Sequence, residues 1–386
     1  MNTFYKDRRV LYPDYIPGEV PFREEQEKQI KRFLRFAYSN EHLFVHGPRG
    51  TGKTVLIKKC LEELPVVNPL VTAVYCIAGN TEYETTVNIA TSAGIKLPRK
   101  GWALTDIIQA FVLPWVNGRP GPVVFVIDEI DKTLEAGAEW LFYYLSRTDK
   151  VNTLCIGQNP RSPLSLANSP AGSSYIPLYL DFPRYTLNEL HHILNERAQE
   201  AFNEGVITDD DILYVANTAY HYGHNDARFA IALLRYAAGF AEEAQSEHVT
   251  KNNVDKALGH LERYNILQTV TGLPRPALAI LYIFYSQHHI EMAAADLHKL
   301  YNENASLFAV RTYGRLRFEQ YLNDLSHDRL VNTYVKGKGH ARGTAKIVAR
   351  SDLIEREETL QEIRQFTYWP PCQSKTRLKG VFGGEL

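Results

Sequence analysis

The chain has 386 residues, with 43 Lys and Arg against 44 Asp and Glu, a formal net charge of −1. That length accommodates two or three domains with sizeable cores, and the balanced charge excludes a simple polycation, so any nucleic-acid surface must be local. The four cysteines, Cys60, Cys76, Cys155 and Cys372, are far apart and form no C-x-x-C pair, which argues against a zinc site. Three of them sit in apolar surroundings, as expected of reduced core thiols in a cytosolic protein. With no apolar stretch long enough to span a bilayer and no signal-peptide pattern, the expected location is cytoplasmic, with no membrane partner.

Residues 1–22, rich in Pro, Tyr and charge, read as an extended N-terminal arm. "REEQEKQIKRFLRFAYS" (23–39) has the apolar period of an amphipathic helix. "HLFVH" then reads as a strand and "VLIKKCLEEL" as a helix, and between them lies Gly47-Pro48-Arg49-Gly50-Thr51-Gly52-Lys53-Thr54. This fits G-x-x-x-x-G-K-[ST] at every fixed position. Glycines let successive backbone N–H groups turn inward on a polyphosphate, and the helix that follows offers its N-terminus to the anion. Pro48, Arg49, Gly50, Thr51 and Gly52 would form the cradle. Lys53 would reach the β- and γ-phosphates of ATP or ADP, and the Thr54 hydroxyl would ligate Mg²⁺.

Further on, "LVTAVYCIA" (70–78) is a buried strand, "TEYETTVNIATSAGI" (81–95) can be a helix, and "LPRKGWALTDIIQAFVLPWV" passes through a loop into another helix. "GPVVFVIDEID" (121–131) is a continuous apolar strand ending in acids, "EWLFYYLSR" a helix, and "NTLCIGQN" (152–159) a strand. The alternation implies a parallel sheet flanked by helices on both faces. Asp128 would hold Mg²⁺ through water, and Glu129 would polarise the water that attacks the γ-phosphate. Asn159, at the end of the next strand, would help to orient that water.

From about 186 the strands stop and four helical segments follow, giving a small lid. In it Arg228, at the start of "ARFAIALLR", could reach the γ-phosphate. Beyond about 266, helices at 274–289, 292–303 and 311–327 precede "RLVNTYVKGKGHARGTAKIVAR", a strand, a glycine-rich basic loop and a strand. Three helices plus a β-hairpin make a winged helix. Residues 311–350 hold nine Lys and Arg against three acids, a local charge of +6, the electrostatic footprint expected for duplex DNA. Arg311, Tyr313, Arg315 and Arg317 would enter a major groove from the recognition helix, with Arg315 and Arg317 the first choices for guanine. Lys336, Lys338, His340 and Arg342 would line the wing. Lys96, Arg99 and Lys100, around Pro98, form a second, smaller basic group.

In this order the elements resemble the archaeal Orc/Cdc-type replication initiators, which are AAA+ ATPases. The likeness covers roughly residues 5–350: "VLYPDYIPGEVPFREEQ", the phosphate loop, "VIDEID", "CIGQN", "FPRYTLNELHHILNERA", "DAR" and the terminal winged helix. The resemblance implies ATP bound between sheet and lid, with slow hydrolysis acting as a switch, and Tyr185 among the nucleotide contacts. It implies double-stranded origin DNA as partner, contacted by the winged helix and by a helical insertion near 81–102, together with a replicative helicase and other initiator copies. The run of elements divides the chain into an arm at 1–22, an ATPase domain at 23–185, a lid at 186–265, a winged helix at 266–364 and a tail at 365–386, the tail lying outside the likeness. Two departures stand out. The family's G-D-x-R appears as Asn225-Asp226-Ala227-Arg228, and "PLSLANSPAGSSYIPLYLDF" carries no Arg or Lys, leaving Arg147 and Arg161 as the nearest candidates for an arginine acting on a neighbour's nucleotide. A signalling or transposition-type AAA+ ATPase that uses its winged helix for protein contacts is the alternative.

Overall fold

The computed structural model describes residues 4–37, 40–98, 101–167, 174–287, 289–337, 344–351, 360, 361 and 363. Arg99, Lys100, Lys338, His340, Arg342 and the tail at 365–386 lie outside them. The chain divides into two compact units, Met1–Asp255 and Lys256–Leu386.

In the first unit α1 (Glu24–Arg35) precedes β1 (His42–His46), α2 (Lys53–Val67), β2 (Thr72–Ile77) and α3 (Glu82–Ser92). Next, α4 (Leu104–Ile107) runs through a π-helical turn (Ile108–Val112) into α5 (Leu113–Asn117). Pro114 has no N–H for the usual i→i−4 bond, so the ladder is rearranged just before it, and Leu113 N–H reaches back to Ile108 C=O. Then come β3 (Val123–Asp128), α6 (Asp131–Glu135), α7 (Glu139–Arg147), β4 (Val151–Ile156), α8 (Leu164–Ala167) and β5 (Leu178–Asp181). The sheet order is β2-β3-β4-β1-β5, with every pairing parallel.

All of β3 is buried. Val123, Phe125 and Ile127 face one core and Val124 and Val126 the other. This is why the segment reads as an unbroken apolar run rather than an alternating one. The lid follows as α9 (Leu187–Ala201), opened by a Thr186–Glu189 capping box, α10 (Asp209–Tyr222), capped by Thr208, and α11 (Ala227–Glu243), capped by Asp226. Part of the N-terminal arm is ordered on the lid: Lys6 and Asp7 N–H donate to Ala201 C=O, and Val10 and Leu11 are buried in a single 3₁₀ turn. Cys60, Cys76 and Cys155 are buried free thiols.

The boundary between the units falls within α12 (Lys251–Gly272). The second unit continues with α13 (Arg275–Ser286), β6 (Glu291–Ala293), α14 (Ala294–Asn304), α15 (Arg315–His327), β7 (Val331–Gly337) and β8 (Thr344–Arg350). Its antiparallel sheet has the order β6-β8-β7, which completes the winged helix. The structure corrects the sequence reading in two places. Residues 291–293 form a strand that pairs with β8, so the second helix starts later than 292. The third begins at Arg315, leaving Arg311 and Tyr313 in the extended segment before it. Side chains of α14 hold that segment out of the helix: Tyr301 OH donates to Arg311 C=O at 2.9 Å, and Tyr313 N–H donates to Asn302 Oδ1 at 3.1 Å.

A polar cluster inside the first unit yields a prediction. His42 is 5% exposed, its Nδ1 lies 2.9 Å from Thr153 Oγ1, and its ring is 4.8 Å from that of Tyr175. Burial lowers its pKa to about 4. The unfolded chain therefore takes up this proton below its ordinary pKa of roughly 6.5, while the folded chain refuses it until about pH 4. The contribution is complete above about pH 6.5 and is lost as the pH falls through that window, costing about 2 kcal/mol by pH 5. Urea midpoints measured from pH 7 to pH 5 should fall more steeply for the parent than for His42→Gln. Parallel curves would remove His42 from the account.

Candidate functional site

The loop between β1 and α2 is held open by backbone conformations that side chains resist. Gly50 and Gly52 have φ of 71° and 88°. A Cβ on Gly50 would meet Asp226 Oδ1 at 1.8 Å, and one on Gly52 would meet the Tyr185 hydroxyl at 2.8 Å. The glycines thus serve two ends: the turn itself, and close approach of the lid and of the segment leading into it.

Lys53 opens α2 and is 8% exposed. Its Nζ donates to Gly47 C=O and Pro48 C=O, each at 2.6 Å. Burial, with a smaller effect from Arg228, lowers its pKa to about 8 against the opposing pull of Asp128, Asp131 and Asp226. Thr54 Oγ1 donates to Asp128 Oδ2 at 2.8 Å, Tyr75 OH donates to the same oxygen at 2.8 Å, and Glu129 N–H donates to Oδ1 at 2.8 Å. A hydroxyl and a carboxylate oxygen in direct contact at the end of β3 are a hard-oxygen donor set, the chemistry Mg²⁺ requires. Glu129 has φ of 58°, a left-handed conformation at the strand's end that a non-glycine residue adopts only at a cost.

These groups line a cavity of about 380 Å³ together with Arg49, Thr51, Gln158 and Arg228. Arg228 also borders a second cavity of about 440 Å³, where Val20, Pro21, Val55, Tyr185, Ile193 and Ile231 give an apolar wall and Glu19, Glu196, Arg197 and Glu200 a charged one. The ammonium, hydroxyl and backbone groups of the first cavity suit the phosphate end of a nucleotide, and the apolar side chains of the second suit its base. Arg228 stays at the mouth, its guanidinium bonded to Asp226 at 2.9 Å. Asn225 and His224 supply the turn before it with φ of 62° and 53°, so Asn225 takes the left-handed conformation in the glycine's place, and its Nδ2 donates to Tyr185 C=O at 3.0 Å.

Asn159 is not brought to this cavity. Its Oδ1 accepts from Arg161 N–H at 3.0 Å, and the neighbouring Gln158 lines the wall instead. Asp131 anchors that turn by accepting from the N–H groups of Gln158 and Asn159. Arg147 and Arg161 are exposed, Arg147 lying 4.3 Å over the ring of Tyr143. The residue that sequence reasoning missed is Arg23. It is 2% exposed and donates to the carbonyls of Thr51, Phe22 and Pro183 at 3.0, 2.8 and 2.7 Å, with its guanidinium 4.0 Å over the ring of Tyr185. Its only sequence signal is its place inside "VPFREEQ", where it reads as one more helical charge.

In the second unit Arg311, Arg315 and Arg317 are exposed, whereas Tyr313 is half-buried and packs on Tyr321 at 5.6 Å. Arg315 Nε is bonded to Glu319 at 2.8 Å, and Lys336 Nζ to Glu291 at 3.2 Å. Lys96 is exposed between α3 and α4, and nearby Trp102 packs edge-on against Phe111 at 5.0 Å.

Comparison with known proteins adds the following. Residues 37–163 match the AAA domain family, and residues 191–259 match the Cdc6 AAA+ ATPase-type lid domain. The ORC1-type DNA replication protein of Methanothermobacter thermautotrophicus is 30% identical over 366 residues, covering 94% of this chain and 97% of that protein. The ORC1-type DNA replication protein of Thermococcus onnurineus is 30% identical, covering 90% of this chain and 88% of that one. Among solved structures, the Aeropyrum pernix ORC1 protein in complex with DNA superposes with a TM-score of 0.80 at 26% identity, over 95% of this chain and 98% of that one.

Lys53→Ala should weaken ATP and ADP binding by roughly 10- to 100-fold, because a charge-assisted hydrogen bond to phosphate is worth about 1.5–3 kcal/mol. Calorimetric titration checks this, and an unchanged affinity would remove the loop from the nucleotide site.

Proposed function

The chain belongs to the family of ORC1-type DNA replication proteins, and from that premise we propose that it is an ATP-switched initiator that binds duplex origin DNA and helps to load a replicative helicase. The observation that carries the switch is Arg228: it comes from the lid yet borders both cavities beside Lys53, Asp128 and Glu129. A group on the lid that touches the γ-phosphate position makes the lid's placement depend on which nucleotide is bound. In this reading residues 23–185 form the ATPase domain, 186–265 the lid and 266–364 the winged helix.

Each residue then has a role. The N–H groups of residues 49–54 and the ammonium of Lys53 bind the phosphates, Lys53 exchanging its two carbonyl partners for phosphate oxygens. Tyr185 and the apolar wall take the base. Thr54 and Asp128 would hold Mg²⁺, which when bound neutralises charge on the β- and γ-phosphates. Glu129 orients and polarises the attacking water. Hydrolysis is slow in this reading, which suits a switch rather than a motor, and the proposed switch needs the lid arginine and the carboxylate together.

Glu129→Gln should keep ATP bound and abolish turnover, since the amide is nearly isosteric but is a poor base. Filter retention of ATP and phosphate release, measured on the same preparation, separate the two effects. Equal release by variant and parent would give Glu129 another job.

DNA binding is supported by the +6 charge over residues 311–350. Phosphate contacts release counterions, so affinity for any duplex should fall steeply with salt. Lys338→Ala together with Arg342→Ala should weaken all sequences alike and lower the salt slope by roughly one for each phosphate no longer neutralised. Fluorescence anisotropy across a salt series tests this. Unchanged affinities and slopes would transfer the winged helix to a protein partner.

A further inference from the structure

The recognition helix α15 presents an outward face that sequence reading did not single out. At 3.6 residues per turn, Leu316, Gln320, Asn323 and His327 recur at i, i+4, i+7 and i+11, and all four are exposed. The opposite face, with Phe318, Tyr321, Leu322 and Leu325, is buried in the unit's core. The outward stripe contains no Lys, Arg, Asp or Glu. Charges stand at its flanks instead: Arg315 bonded to Glu319 on one side, Arg317 and Asp324 on the other. Two cations reach the stripe from its sides: Arg317 donates to Gln320 Oε1 at 2.8 Å while lying 5.0 Å over the ring of Tyr321, and Lys346 Nζ from β8 donates to Asn323 Oδ1 at 2.6 Å.

Leu316 is 81% exposed in the helix's first turn. A recognition helix brings its N-terminal residues to the base edges. The apolar group on the major-groove edge of a base pair is the thymine 5-methyl. A leucine surrounded by cations, in a segment of +6 charge, is complementary to an apolar spot set within a polyanion. We propose that Leu316 is a specificity-determining residue: it packs on thymine methyl groups in the major groove of the bound duplex, and Gln320 and Asn323 follow it along the same stripe over neighbouring base edges. Arg315, bonded to Glu319 on the flank, then serves phosphates rather than guanine. This inference rests on the DNA-binding reading above.

The test removes the methyl group and nothing else. Duplexes enriched from a randomised pool by the full chain are remade with deoxyuridine in place of thymidine, and both forms are titrated with the parent and with Leu316→Ala. Burying one methyl group is worth ~0.8 kcal/mol, about fourfold in affinity. The parent should prefer the thymine duplex by about fourfold for each methyl contacted. Leu316→Ala, altered at an exposed position, should bind both forms equally, near the parent's affinity for the uracil duplex, with an unchanged salt slope. Equal binding of the two duplexes by the parent, or the same preference in the variant, overturns the proposal while leaving DNA binding intact. Failure of the parent to enrich any duplex overturns both readings.

Discussion

Arg23 is the contact on which the nucleotide site depends. Burying a guanidinium is costly unless its donors are satisfied, and here they are satisfied by three backbone carbonyls: Thr51 in the phosphate loop, Phe22 beside the arginine itself, and Pro183 at the end of the sheet. The arginine also covers the ring of Tyr185, whose hydroxyl lies 2.8 Å from where a Cβ on Gly52 would be. One side chain therefore sets the spacing between the loop, the start of α1 and the segment that leads into the lid. No other residue type would serve. Lys has a single donor centre and no planar face, so it could neither reach carbonyls in three directions nor stack on the tyrosine.

The same logic governs the charges inside the cavity. Lys53 is held at 2.6 Å from two carbonyls of its own loop, and its burial makes the charged form costly enough to lower its pKa. A phosphate oxygen satisfies that cation better than a carbonyl dipole does, so the free loop is stable but still favours the anion. Asp128 is held in a parallel way. Thr54, Tyr75 and the Glu129 N–H occupy both of its oxygens, fixing the rotamer that the proposed metal site would use. Part of the ordering cost is thereby met in the folding of the sheet.

Much of this was legible in the sequence, for identifiable reasons. Local signals with a backbone cause are legible: the glycine loop and the buried run of β3. Asn225 stands where the family has glycine, and its φ of 62° is one that Asn tolerates better than most residues with a side chain. What escaped depends on contacts between residues far apart in the chain. Arg23 reads as one more charge at a helix start because Thr51 and Pro183 are 28 and 160 residues away. The three-residue strand β6 is too short to show a period and exists only because β8 pairs with it. Asn159 reads as a polar residue at a strand's end, where the phosphates would be, but the Asp131 carboxylate draws its turn into a compact hydrogen-bonded loop that presents Gln158 instead.

The recognition helix shows the same limit more sharply. Counting charges over residues 311–350 finds the basic patch and suggests its arginines as readers. Counting does not reveal where each charge is directed. Arg315 lies one turn before Glu319 and Arg317 three residues before Gln320, spacings at which helical side chains meet, and both pairs are formed. Arg315 is thereby held on a flank and Arg317 leans toward Gln320, while the residues that face outward, Leu316 among them, are themselves uncharged. A guanidinium on the outward face can read guanine through paired hydrogen bonds, whereas one bonded on a flank is left to phosphates. In the proposed DNA-binding mode the cations would supply attraction at the rim and Leu316 a contact at the centre that can differ from one sequence to the next.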